Sequence, residues 1–284
     1  MKVTSWNLLH GQAIPPQTNA ADESAQKAQL LSLSQYLTGQ PEGGPDVIAF
    51  QEVDSGQPRS GHQPQIAEIA KHLAASSWGF ARTIVGTPGE GWRKLTGREV
   101  ALSTNESCED EGEPSYGVGL VSKIPVTNWH LLQLGRSPIG LPLAVPSEKG
   151  VRFLYVKDEP RVALAAELEN GFTIAVTHLS FVPFVNLYQL WKVQRWLRKL
   201  PGERFLVMGD LNLPFNIPQR FSSWKSLNTR MTYPAWGAKV QFDYILLDRQ
   251  SLRNTESEPI NFVGVPPVSD HLPITVEITQ IPRR

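Results

Sequence analysis

"FLVMGDLNLP", residues 205–214, carries an apolar run that ends in Gly209, Asp210 and, two positions on, Asn212. Four apolar residues in succession read as a buried strand. A carboxylate and an amide placed where that strand leaves the core are costly to bury unless something pairs with them. The same arrangement recurs along the chain. Asn7 stands in "SWNLLHG", Glu52 in "IAFQEVD" and His178 in "AVTHLS". Asp243 begins "DYILL", and Asp270 and His271 form "SDHLP" just before a last strand. One such residue is an ordinary structural hydrogen bond. Eight at strand ends point to convergence on one cleft, since ligand sites in α/β sheets lie at strand termini.

The remaining pattern is mixed. Strands are expected at 2–9, 46–53, 116–122, 161–168, 172–179, 205–211, 242–247 and 272–278, rich in Val, Ile and Phe and bounded by turn residues. Helices are expected at 22–37, 63–75 and 186–200. The first has Ala28, Leu31 and Tyr36 near one face, with Asp22 or Ser24 as cap. The third turns Leu190, Val193, Leu197 and Leu200 inward. "FVPFVNLYQLW" (181–191) reads as core and helix entry. Neighbouring strands sometimes lack a helix between them, which implies mixed sheets with helices outside. Residues 86–115, with the acidic "CEDEGE", and 133–160, rich in Gly and Pro, read as long loops. No repeat, linker or low-complexity tract divides the chain, so 1–284 is expected to be a single domain.

Composition narrows the partners. The chain has 284 residues, 40% hydrophobic and 19% charged, with formal net charge +0. Nothing there draws it globally to nucleic acid or an acidic membrane. Residues 1–142 carry 10 basic and 14 acidic side chains and residues 143–284 carry 17 and 13. That difference is mild and reads as solvated surface. Cys108 is the only cysteine, so no internal disulfide forms. The N-terminal stretch has no apolar signal region, and no run of 18 apolar residues occurs. A cytoplasmic monomer without a transmembrane segment is the expectation.

The polar inventory favours oxygen ligands and a hard cation, Mg²⁺ or Mn²⁺, over structural zinc. HExxH, GxSxG and GxxxxGK[ST] are all missing, which argues against a zinc protease, an esterase triad and a P-loop switch. Carboxylates on a hard cation, two histidines and amides or Arg for a polar substrate suit phosphoester hydrolysis.

"SWNLLHG", "DVIAFQEVD", "YGVGLVSKIPV", "RVALAAEL", "VTHLS", "VMGDLN", "FDYILL" and "VSDHLP" resemble, in order, the motifs of the endonuclease/exonuclease/phosphatase superfamily. DNase I, AP endonucleases, bacterial sphingomyelinases and inositol-polyphosphate phosphatases belong to it. The likeness runs from residue 3 to about residue 278, and GDLN followed by SDH is its most specific part. "QEVDSGQPRSGHQPQ" and "THLSFVPFVNLYQL" resemble a bacterial branch of small stand-alone members. The resemblance implies a four-layered α/β sandwich, two mixed sheets face to face with helices outside. It implies a Mg²⁺- or Mn²⁺-dependent phosphoesterase in which activated water attacks in line.

On that resemblance Glu52 is the main metal ligand, supported by Asn7 and Asp270. Asp210 and Asn212 form a catalytic pair: Asp210 positions or deprotonates water and Asn212 donates to the phosphate. His271 acts as base or oxyanion donor, held by Asp243, and shares the base role with Asp210. His178 is a second acid or phosphate donor. Arg161, Tyr116 and Arg59 are candidate substrate contacts. Two departures stand out. The "YGVGL" stretch leaves His178 without the acidic partner seen in DNase I, and Gly119 stands where many relatives have Asn. The substrate remains open among nucleic acid, phospholipid headgroup and inositol phosphate. A catalytically inactive binding module on the same fold is the alternative.

Overall fold

The computed structural model describes residues 1–12, 23–89, 91–96, 99, 101–107, 112–147, 150–261 and 263–281. Cys108 to Glu111 of the acidic stretch and the candidate cap Asp22 lie outside the described residues.

Strands run in chain order as β1 (Lys2–Asn7), β2 (Val47–Ser55), β3 (Ser77–Thr87), β4 (Gly91–Arg93), β5 (Leu102–Thr104) and β6 (Ser115–Ser122). They continue as β7 (Val126–Gly135), β8 (Leu141–Ser147), β9 (Gly150–Val156), β10 (Arg161–Leu168) and β11 (Phe172–His178). The last are β12 (Arg204–Asp210), β13 (Lys225–Ser226), β14 (Asp243–Leu247), β15 (Thr255–Ile260) and β16 (Ile274–Gln280). The helices are α1 (Glu23–Thr38), α2 (Gln65–His72), α3 (Val185–Leu197) and the single turn α4 (Ile217–Arg220). Among the described residues no helix is long and apolar enough to cross a membrane.

Two mixed sheets result. One has the order β15-β16-β1-β2-β6-β3-β4, with β5 on β3; the other runs β13-β14-β12-β11-β10-β7. Alternation along each strand decides which face meets what. In β2, Val47 and Ala49 enter a core shared with Leu164, Ile174, Leu206, Met208 and Ile245 of the other sheet. Ile48 and Phe50, pointing the opposite way, pack with Leu33 and Leu37 of α1 and Ile66 and Ile69 of α2. In β12, Val207 turns outward to join Leu190, Val193 and Leu197 of α3. Helices, sheet, sheet and helix therefore stack as four layers, as the resemblance implies.

Three local readings change. The buried face of α1 is Leu30, Leu33, Ser34 and Leu37, whereas Leu31 is exposed. Adjacent leucines at 30 and 31 let the apolar stripe be drawn one residue off, and packing on α2 chooses between them. The stretch 133–160 is not a loop: β8 and β9 form a two-stranded hairpin. Its Pro142 and Pro146 are an even number of residues apart, so both missing N–H groups lie along the same edge of β8. The stretch 86–115 likewise contributes β4 and β5.

Gly119, the departure noted above, lies where α2 meets β6. A Cβ there would stand 2.3 Å from Ile66 Cδ1. Helix packing, rather than catalysis, accounts for a glycine at that position in this chain.

Candidate active site

Register brings the polar strand ends together. In the parallel pair β11/β12, His178 is directly opposite Asp210; in the antiparallel pair β12/β14, Asp210 is opposite Asp243. Three side chains from segments far apart in sequence thus form one row across three adjoining strands. Gly209 makes the row possible. Its φ is +145°, and a Cβ would fall 1.9 Å from Thr177 O. The β11 and β12 backbones therefore close up next to Asp210 only because residue 209 lacks a side chain.

The other sheet supplies the facing half. β1 pairs with β2 in parallel register up to Asn7 and Gln51, after which a bulge places Glu52 between Gln51 and Val53 with no partner on β6. Glu52 has φ +55°, an uncommon value for a residue with a side chain. Bulges of this kind re-aim a side chain beside a site. Asn7 Nδ2 then joins the two sheets, donating to Glu52 Oε1 at 3.0 Å and Asp210 Oδ2 at 3.1 Å. Asn7 Oδ1 accepts from Leu9 N, so the amide nitrogen faces the carboxylates. The loop before β16 is fastened to the same strand. Ser269 Oγ donates to Asn7 O and accepts from His271 N, and Trp6 Nε1 donates to His271 O.

The two histidines are held in opposite states. His271 Nδ1 lies 2.8 Å from Asp243 Oδ2 and its Nε2 lies 3.8 Å from Asp210 Oδ2. Burial alone would lower its pKa, but Asp243, Asp210 and Asp270 outweigh that and push it up to about 10. His178 is buried with Arg161 and His271 nearby, and its pKa is held well below the usual imidazole value. Asn212 Nδ2 donates to Leu179 O at 2.9 Å and also faces His178 Nε2 at 3.1 Å. The carbonyl can only accept, which fixes the amide orientation and makes His178 Nε2 an acceptor. Its proton therefore sits on Nδ1. That atom has no hydrogen-bond partner, in keeping with the "YGVGL" departure, and stands 3.9 Å from Glu52 Oε1.

The carboxylates are strained by company and burial. Burial raises Glu52, and Asp210 is pushed up to about 6 by burial, with Asp243 adding to it and His271 opposing. Asp270 also rises to about 6, through burial and the charge of Glu52, against His271. Asp210, Asp243 and His271 each offer a donor atom, and these atoms all lie within 4.8 Å of one another. Asp243 Oδ1 has no hydrogen-bond partner. Buried oxygens of this number, with one orphaned and with histidines as the basic partners of Glu52 and Asp210, suit a hard divalent cation.

A cleft of about 880 Å³ opens over Glu52, Tyr116, Arg161, His178, Asp210, Asn212 and His271. The remaining sequence candidates are placed differently. Arg161 is buried against Asp158 (3.4 Å) and Glu159 (3.0 Å), with its Nε unpartnered. Arg59 makes two bonds to Asp54, at 2.8 and 2.7 Å, and lies 5.7 Å from the centre of the Tyr116 ring, outside the cleft lining.

Sequence reasoning missed Glu159 and Tyr233, both in the cleft lining; the Tyr233 ring lies 5.0 Å from that of His271. A pair of acids beside Arg161 in "KDEPR" was the available signal for Glu159. Asn186 was also missed: from the first turn of α3 its Nδ2 donates to Asn212 O at 2.9 Å. Asn212 itself has φ +50°.

Comparison with known proteins places the chain by fold and by family. No curated protein matches the chain by sequence. Among solved structures, an endonuclease/exonuclease/phosphatase from Beutenbergia cavernae superposes with a TM-score of 0.57 at 16% identity. The match covers 99% of this chain and 72% of that one. A mannosyl-6-phosphatase from Bacteroides thetaiotaomicron gives 0.57 at 14% identity, covering 98% and 99%. The human Nocturnin catalytic domain, with bound sulfate, gives 0.55 at 17% identity, covering 98% and 93%. At these identities the likeness is one of fold. The sequence model of the endonuclease/exonuclease/phosphatase family matches residues 4–271, nearly the whole chain. The protein is therefore a member of the endonuclease/exonuclease/phosphatase family of phosphoester hydrolases.

Proposed function

We propose that this chain is a Mg²⁺- or Mn²⁺-dependent phosphoesterase that hydrolyses a phosphodiester or phosphomonoester by in-line attack of water. The observation that carries the reading is the row His178–Asp210–Asp243, joined through Asn7 to Glu52 and through Asp243 to His271. Glu52 would hold the cation, with Asp270 beside it and Asn7 fixing the Glu52 carboxylate. When bound, the cation polarises the phosphoryl oxygen and offsets its growing charge.

The side chains divide the remaining work. Asp210 is basic for a carboxylate yet still ionised at neutral pH, which suits it to orient water and accept its proton. His271, kept as imidazolium by Asp243, donates through Nε2 to a phosphoryl oxygen. His178 remains neutral and offers its unpartnered Nδ1–H to the substrate. Asn212 holds that imidazole in its tautomer. Arg161 and Tyr116 are substrate contacts from the cleft wall, and Arg59 backs the Tyr116 ring.

Hydrolysis of bis-p-nitrophenyl phosphate with added Mg²⁺ or Mn²⁺ tests this directly. Turnover should depend on the metal, and Asp210→Asn should lose at least about 100-fold, the usual worth of general acid–base catalysis. Metal-independent turnover, or an undiminished Asp210→Asn variant, would refute the assignment.

A further inference from the structure

The cleft lining changes character away from the carboxylates. Phe181, Phe184 and Leu187 come from the segment that leaves His178, and Ile217 and Phe221 from the segment that leaves Asn212. The two segments are tied at their roots, since Asn186 Nδ2 donates to Asn212 O at 2.9 Å. Although 181–191 reads as core from sequence, Phe184 is 81% exposed and Phe221 is 72% exposed. Phe184 also has φ +66° at the entry to α3, a conformation that a side-chain-bearing residue rarely adopts. Large apolar side chains left bare, Phe184 on strained backbone, inside the same cleft as a polar reaction centre, ask for an apolar occupant.

We propose that this wall is a subsite for an apolar group, alkyl or aryl, esterified to the phosphate that the carboxylate and histidine floor receives. The inference rests on the phosphoesterase reading and adds the substrate class: an amphiphilic phosphoester rather than one whose substituents are polar throughout. Phosphate at the floor places its ester substituent within reach of the wall, because both segments begin at catalytic side chains.

Three diesters with one common leaving group test it: methyl, octyl and naphthyl 4-nitrophenyl phosphate, hydrolysed in Mg²⁺ or Mn²⁺. Binding of methyl-, octyl- and naphthylphosphonate is measured alongside by calorimetry. The octyl or naphthyl compound should be favoured over methyl by at least about tenfold in KM and in phosphonate Kd, the scale of a few buried methylene groups. In the double variant Phe184→Ser/Phe221→Ser the preference should shrink to within about twofold; both side chains are exposed, so the core is not disturbed. Preference for octyl identifies an alkyl chain as the natural occupant, and preference for naphthyl an aryl group. Equal handling of all three esters and phosphonates, or a preference that survives the double variant, would overturn the subsite. Turnover of none would overturn the hydrolase reading, and the phosphonate affinities would still decide the subsite.

Discussion

Asp210 Oδ2 stands between two imidazoles, 3.6 Å from His178 Nε2 and 3.8 Å from His271 Nε2. One ring is neutral and the other charged, and their surroundings set the difference. Asp243 stabilises the His271 imidazolium, so removing its charge leaves burial as the main influence and lowers the His271 pKa. In Asp243→Asn, side-chain NMR of the metal-free protein should therefore show His271 losing its proton at lower pH than in the wild type, where it titrates near 10. An unchanged His271 titration would contradict the pairing. His178 should remain neutral in both. The acidic, amide and imidazole residues at this scale were legible because polar side chains end apolar strands. Tyr233 and Asn186 were not, because each belongs to the site through tertiary contact alone; Glu159 had only its place beside Arg161 to mark it.

Elements aim these residues. Gly209 holds φ +145° where β11 and β12 close together, and an added Cβ meets a backbone carbonyl rather than a flexible side chain. Gly209→Ala should cost at least about 2 kcal/mol of stability in urea unfolding, as overpacking against unyielding neighbours does. It should also impair turnover by displacing Asp210. A variant of wild-type stability would show that the two strands are free to separate there. Strands were readable from apolar runs, and the order of layers from the family resemblance that their polar ends carry. The bulge that presents Glu52 was not, since one inserted residue leaves the alternation of β2 almost intact on either side. The β8–β9 hairpin was hidden by its prolines, which a two-stranded ribbon tolerates on its open edge.

Across the whole molecule, the site lies where the two sheets meet, with Glu52 from one and Asp210 from the other sharing the Asn7 amide. A cation bound there links both layers and favours the folded chain by mass action. Mg²⁺ at about 100 times its Kd should add about 2.7 kcal/mol to the unfolding free energy. Glu52→Gln should abolish that gain without lowering the stability of the metal-free protein, because burial already disfavours the ionised Glu52 carboxylate there. The family was legible end to end because its motifs sit at these strand termini. The proposed apolar subsite was not, because it rests on Phe184 and Phe221, whose exposure no periodicity reveals. The account turns on one divalent-cation site shared by the two sheets, and anomalous diffraction from crystals soaked in Mn²⁺ tests it most directly. A peak against the Glu52 carboxylate, beside the Asn7 amide that Glu52 shares with Asp210, is the expected result; a fully occupied Mn²⁺ elsewhere, with this position empty, would contradict it.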